Sequence, residues 1–150
     1  MENNLKNILF KNNKTILFVG IGNALKSDDG IGIYVCRNIN QSEKIKTLIV
    51  ESGIEKYIGK INSLKPDLLV LVDCTDFNKP AGFFQLIPIE KVQDFTFHTH
   101  TISLRRISEF FRMKTYLLGI QPQNVNFGEE FSPKVLEAAD EIIHEINSQI

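Results

Sequence analysis

Residues 67–73, DLLVLVD, constrain the fold more than any other stretch of this chain. Five consecutive apolar residues stand between two acids, so the segment has no polar face to turn to water. A strand of that kind is covered on both sides, the habit of parallel sheets flanked by helices. Four further runs read as strands: residues 15–20 (TILFVG), 47–51 (TLIVE), 82–87 (GFFQLI) and 115–120 (TYLLGI). Helices are expected between most of them. One runs from Gly30 to about Asn40, with Ser27 or Asp28 as its cap and acids in its first turn. Others span residues 55–64, closed by Pro66, then 101–113, then 132–146 with Ser132 as N-cap and Pro133 at the first helical position.

The resulting order, β-α-β-α-β-β-α-β-α, predicts an α/β fold: a three-layer α/β/α sandwich around a mostly parallel five-stranded sheet. The strand at 82–87 follows its predecessor without an intervening helix and is expected as an antiparallel edge. Residues 1–14 are rich in Asn and Lys and read as a loose arm before a single domain covering the chain. At 150 residues the chain is long enough to bury a core of its own.

Charge narrows the function classes. Seventeen Lys and Arg face eighteen Asp and Glu, a net charge of −1 that gives no basic surface for nucleic acid and no polybasic membrane anchor. No apolar run approaches the roughly 20 residues that span a bilayer, and the first fifteen residues have no signal-peptide core. Two widely separated cysteines, Cys36 and Cys74, suit a reducing compartment. A cytoplasmic protein that inserts in no membrane is expected.

In open α/β sheets ligands bind beyond the carboxyl ends of the strands, where the strand order reverses. If the second strand lies outside the first, strands one and three are neighbours, and Asp28 or Asp29 then faces Asp73 across that crevice. Gly20 and Gly22 allow a tight turn and close approach of a ligand. Acids at the helix start disfavour phosphate, and Leu25 stands where a dinucleotide loop needs a third glycine. His98 and His100, spaced i, i+2 just before a helix, share a face if extended. Two carboxylates with an imidazole make an open site for zinc, nickel, iron or manganese. Cys74 paired with His98 or His100 is the nucleophilic alternative, although Cys74 should point to the opposite face from Asp73. Asp76 reads as a turn residue or a support for Asp73, Cys36 as core, and His144 as part of a solvated helix face.

Residues 20–32, GIGNALKSDDGIG, resemble the opening pattern G-x-G-N-x-L-x-x-D-[DE]-G-x-G of the nickel–iron hydrogenase maturation endopeptidases. Leu71-Val72-Asp73 with Thr75 and Asp76 is similar to the family's V-D-A-x-D segment, and Thr99-His100 through Leu104 to its T-H-x-x-x-L segment. Gly119-Ile120-Gln121-Pro122, followed by Phe131-Ser132-Pro133, resembles its G-I-Q-P…L-S-P tail. The resemblance implies a protease that removes a C-terminal peptide from a hydrogenase large-subunit precursor after nickel insertion. It implies Asp29, Asp73 and His100 as catalytic and metal-binding residues, so it selects Asp29 over Asp28 and His100 over His98. The ion it implies is nickel presented by the substrate, with zinc or cadmium able to take its place. Position 29 is aspartate where many relatives carry glutamate, and position 74 is cysteine where alanine is frequent. The rival reading is a nickel-sensing or adaptor module that docks on a hydrogenase subunit without cleaving it.

Overall fold

The computed structural model describes residues 5–92 and 103–150, and in them five strands make one mixed sheet. The strands are β1 (Ile16–Ile21), β2 (Ile45–Glu51), β3 (Leu68–Cys74), β4 (Phe84–Pro88) and β5 (Lys114–Ile120). Their order is β2-β1-β3-β5-β4; the first four run parallel and β4 pairs antiparallel at the edge. The expected five-stranded, mostly parallel sheet with an antiparallel edge is the observed one, and β2 does lie outside β1, which makes β1 and β3 neighbours.

The central strand behaves as its composition requires. Every residue of β3 is buried, and its side chains alternate between two cores. Leu68, Val70, Val72 and Cys74 enter the core formed with α1 (Leu5–Leu9), α2 (Ile31–Arg37) and α5 (Pro133–Asn147). Leu69 and Leu71 enter the other, with α3 (Ile58–Leu64) and α4 (Leu104–Ile107). Helices thus cover both faces, and Asp73 follows Leu69 and Leu71 in the alternation.

Three expectations are corrected. Residues 1–14 are not all a loose arm: α1 lies within them, with Leu5 and Leu9 buried against α5. Its short length hid the i, i+4 apolar pair among Asn and Lys. The helix expected over residues 101–113 shrinks to α4 and a 3₁₀ turn at Ser108–Phe110, which leaves Phe110 exposed; residues 101 and 102 lie outside the described residues. The helix expected over 55–64 begins with a 3₁₀ turn, Ile54–Tyr57, and buries Ile61 but exposes Leu64. The strands and α5 follow their expected bounds to within a few residues.

The docking of α1 is testable. Leu5→Ala or Leu9→Ala should each lower the unfolding free energy by about 2–4 kcal/mol, as expected for a fully buried leucine. The shift in the urea midpoint reads this directly, and a loose arm would show no shift.

Candidate active site

Sheet order fixes where the site lies. From β1 the chain passes outward to β2, and from β3 to β5 on the other side, so the strand order reverses between β1 and β3. The carboxyl ends of those two strands frame a crevice. Asp73 stands at the end of β3, and the loop after β1 carries Asp28 and Asp29 in a 3₁₀ turn, Ser27–Gly30, that packs against β3. Asp28, Asp29 and Asp73 are all buried.

The glycines of this loop serve packing. Gly22 has φ of 143°, a conformation few other residues adopt, and a Cβ there would lie 2.1 Å from the Asp29 carbonyl oxygen. A Cβ on Gly32 would lie 2.2 Å from the carbonyl oxygen of Val72. The bare backbone therefore lets the start of α2 sit directly on the ends of β1 and β3. The expected close approach at Gly22 is to the Asp29 backbone, which is what carries this acid to the crevice.

The two neighbouring acids have different occupations. Asp28 accepts four hydrogen bonds: from the N–H of Ser132 at 2.7 Å on Oδ1, and on Oδ2 from the N–H groups of Gln123 (2.9 Å) and Asn124 (3.0 Å) and the hydroxyl of Ser132 (2.7 Å). It caps no helix; it ties the loop after β5 to the loop after β1. Ser27 caps none either, its hydroxyl donating to the carbonyl of Asn126 at 2.8 Å. Ser132 stands at the N-cap position of α5, yet its hydroxyl turns to Asp28 instead of the helix. The carboxylate of Asp29 accepts from the N–H of Asn23 at 3.0 Å, and the Asn23 side chain in turn accepts from the N–H of Leu25 at 2.9 Å. Asp73 accepts from the N–H of Cys74 at 2.8 Å.

A second tether passes through Gln121. Its Oε1 accepts from the N–H groups of Phe77 (2.6 Å) and Lys79 (3.4 Å), and its Nε2 donates to Asp76 at 3.2 Å. Asp76 also accepts from the N–H of Asn78 at 2.9 Å, so it is a turn residue joined to Gln121. The structural roles of Asp28 and Gln121 escaped the sequence reading. The nearest signal was the G-I-Q-P and S-P tail, whose partners lie about a hundred residues away in the chain for Asp28.

Cys74 is buried in the core on the opposite face from Asp73. Burial first, and then the negative charges of Asp73, Asp29, Asp28 and Asp76, push its thiol far above the usual range. A thiol so held is not a nucleophile at neutral pH. Cys36 is buried as well, and burial raises its thiol in the same way. His144 is exposed on α5.

His98 and His100 lie outside the described residues. Among the described residues no three His, Cys, Asp or Glu side chains are grouped as a metal site needs. The described part of the expected set is Asp29 with Asp73. Val92 and Leu104, which flank the histidine segment, are both buried in the core on the α3–α4 face of the sheet, the face to which the alternation of β3 assigns Asp73.

Residues 33–149 match the model of the HycI hydrogenase maturation protease family. A Methanocaldococcus jannaschii relative, itself only provisionally assigned as a hydrogenase maturation protease, is 30% identical and covers 91% of this chain and 92% of its own. The hydrogenase 3 maturation protease of Escherichia coli is 25% identical, over 85% of this chain and 86% of its own. The crystal structure of a [NiFe] hydrogenase maturation protease HycI from Thermococcus kodakarensis superposes with a TM-score of 0.82 at 29% identity, covering 97% of each chain.

Asp28→Ala strands three backbone N–H groups and a hydroxyl, and should cost about 3 kcal/mol or more of stability in urea unfolding; Asp28→Asn, which keeps one acceptor oxygen, should cost less. Neither cysteine should react with iodoacetamide at pH 8 in the native protein, and both should react once it is unfolded. Intact-mass spectrometry counts the adducts.

Proposed function

The chain belongs to the hydrogenase maturation protease family, and from that premise we propose that it removes a C-terminal peptide from the nickel-loaded precursor of a [NiFe]-hydrogenase large subunit. The observation that supports this reading is that two buried carboxylates, Asp29 in the turn that packs on β3 and Asp73 at the end of β3, both stand where the strand order reverses. We assign them, with His100, as an open site of two carboxylates and one imidazole, an aspartyl-type endopeptidase without a cysteine or serine nucleophile.

The donor set suits the ion. Two carboxylates and an imidazole offer oxygen and nitrogen ligands of the kind nickel and zinc accept, with positions left for water or substrate. Held by Asp29, Asp73 and His100, such an ion would supply Lewis-acid polarisation of a peptide carbonyl or a more acidic water. The sequence has no H-E-x-x-H helix and no G-x-S-x-G elbow, which favours nickel that arrives with the precursor. In that case Asp29 and Asp73 read the loaded state, and an unloaded precursor is rejected for want of the contact. Zinc or cadmium can occupy the same ligands.

The protein's own residues prepare this. Asn23 orients the Asp29 carboxylate through its N–H, and the glycine-backed turn brings Asp29 against the ends of the strands. Asp73, at the end of a strand buried between two neighbours, has little freedom to move. A preorganised pair of this sort spends nothing on rearrangement when substrate binds. Among the described residues no helix is long and apolar enough to cross a membrane. With two buried free thiols, this favours a reaction in the cytoplasm.

Asp29→Ala, Asp73→Ala and His100→Ala should each lower processing of the precursor by at least about 100-fold while far-UV circular dichroism stays unchanged. His98→Ala should process normally. The readout is the mass of the large subunit, which remains heavier by its C-terminal peptide when cleavage fails. Normal processing by any one of the first three removes that residue from the site. If the wild-type protein binds the precursor and never shortens it, the adaptor reading replaces the protease.

A further inference from the structure

The loops after β1 and β5, joined to each other by hydrogen bonds, carry apolar side chains for which the core has no use. Leu25 is 58% exposed and Phe127 is 83% exposed. Large apolar groups left in water are informative when the backbone beneath them is held in place, and here it is. Lys26 and Gly128 form a parallel bridge. The Ser27 N–H donates to the Gly128 carbonyl at 2.7 Å, and the Gly128 N–H donates to the Leu25 carbonyl at 2.9 Å. The Asp28 carboxylate clamps the same loop a few residues away. Leu25 and Phe127 are thus displayed at neighbouring positions on paired, rigid backbones. The Lys26 ammonium lies 5.7 Å from the Phe127 ring centre.

This platform lies on the same loop as one acid of the proposed site. Leu25 and Asp29 lie four residues apart on one loop, and no core element separates them. We propose that Leu25, Lys26 and Phe127 form the docking surface for the precursor protein, and that they seat an apolar segment of it that carries basic side chains. This rests on the protease reading above. Aromatic and aliphatic anchors of this kind characterise the centres of protein interfaces. Loops already fixed by hydrogen bonds lose little conformational freedom when a partner binds. Charge selects the flank of the occupant: Glu129 and Glu130 are exposed next to Phe127, and Lys26 is the only cation in residues 24–28 and 123–130. Its ammonium already faces the Phe127 ring. A basic flank complements what remains.

The test is steady-state processing of the nickel-loaded large-subunit precursor. Leu25→Ser and Phe127→Ser should each raise KM about 10-fold or more and leave kcat unchanged, because they remove binding and not chemistry. Phe127→Leu should restore most of the loss. A Glu129→Lys/Glu130→Lys double variant should also raise KM, and high salt should erase the difference. These side chains are exposed, so the thermal midpoint should stay at the wild-type value in every variant. A KM within about twofold of wild type for both serine variants, or a fall in kcat at constant KM, overturns the docking surface. An unchanged KM in the charge variant overturns the basic flank. If the wild-type protein leaves the precursor uncut, it is the protease reading that falls, and that result is distinct from an active enzyme with indifferent variants.

Discussion

The buried carboxylate of Asp28 is the interaction on which the site depends. Three backbone N–H groups and one hydroxyl converge on its two oxygens, and they come from both ends of a long connection, Gln123 and Asn124 at one and Ser132 at the other. Connections of this length are otherwise free to wander across the surface. Charge-assisted hydrogen bonds to a desolvated carboxylate are among the stronger ones a protein makes, and a donor left without its acceptor in such a place is costly. The result is a loop after β5 fastened to the loop after β1. With both held, Asp29, the next residue in the chain, has a fixed origin.

Two further constraints bring Asp29 and Asp73 to the same edge of the sheet. The missing side chains at Gly22 and Gly32 let the turn and α2 approach the strand ends at distances no Cβ would permit. Burial of β3 between β1 and β5 then fixes the other partner. Acids thus occupy the edge of the sheet for two unlike reasons. Asp28 gathers four hydrogen bonds and holds two loops together, whereas Asp29 and Asp73 are the acids assigned to the ion in the proposed reaction. Burial, and after it the same negative field, keeps the thiol of Cys74 protonated and unreactive, so this cysteine belongs to the core.

Much of this was legible in the sequence. The unbroken apolar run of β3 demanded cover on both faces, and a parallel sheet with helices on either side is the arrangement that provides it. The absence of a helix before β4 announced its antiparallel pairing. Amphipathic spacing placed Cys36 inside and His144 outside. Elements failed where the local signal was weakest. The helix Leu5–Leu9 has a single buried pair, and its stability comes from packing on α5, a partner more than a hundred residues distant. The helix expected before β5 ended early because apolar spacing does not report which side chains find a surface to cover; Phe110 finds none.

By itself, then, the sequence determined the layers, the mostly parallel sheet with its antiparallel edge and the acids from which the proposed site is drawn, because periodicity is a property of neighbouring residues; that β2 lies outside β1 only the structure decided. Spacing did not separate the work of Asp28 from that of Asp29; the motif resemblance pointed to Asp29 but gave no account of what Asp28 does. Both are acids at a helix start, and only their partners distinguish them. Nor did it assign Gly22 to packing instead of ligand approach, or join Leu25 to Phe127. Each of these facts is a contact between segments far apart in the chain, and the spacing of residues along one segment carries no record of what another will bring to meet it.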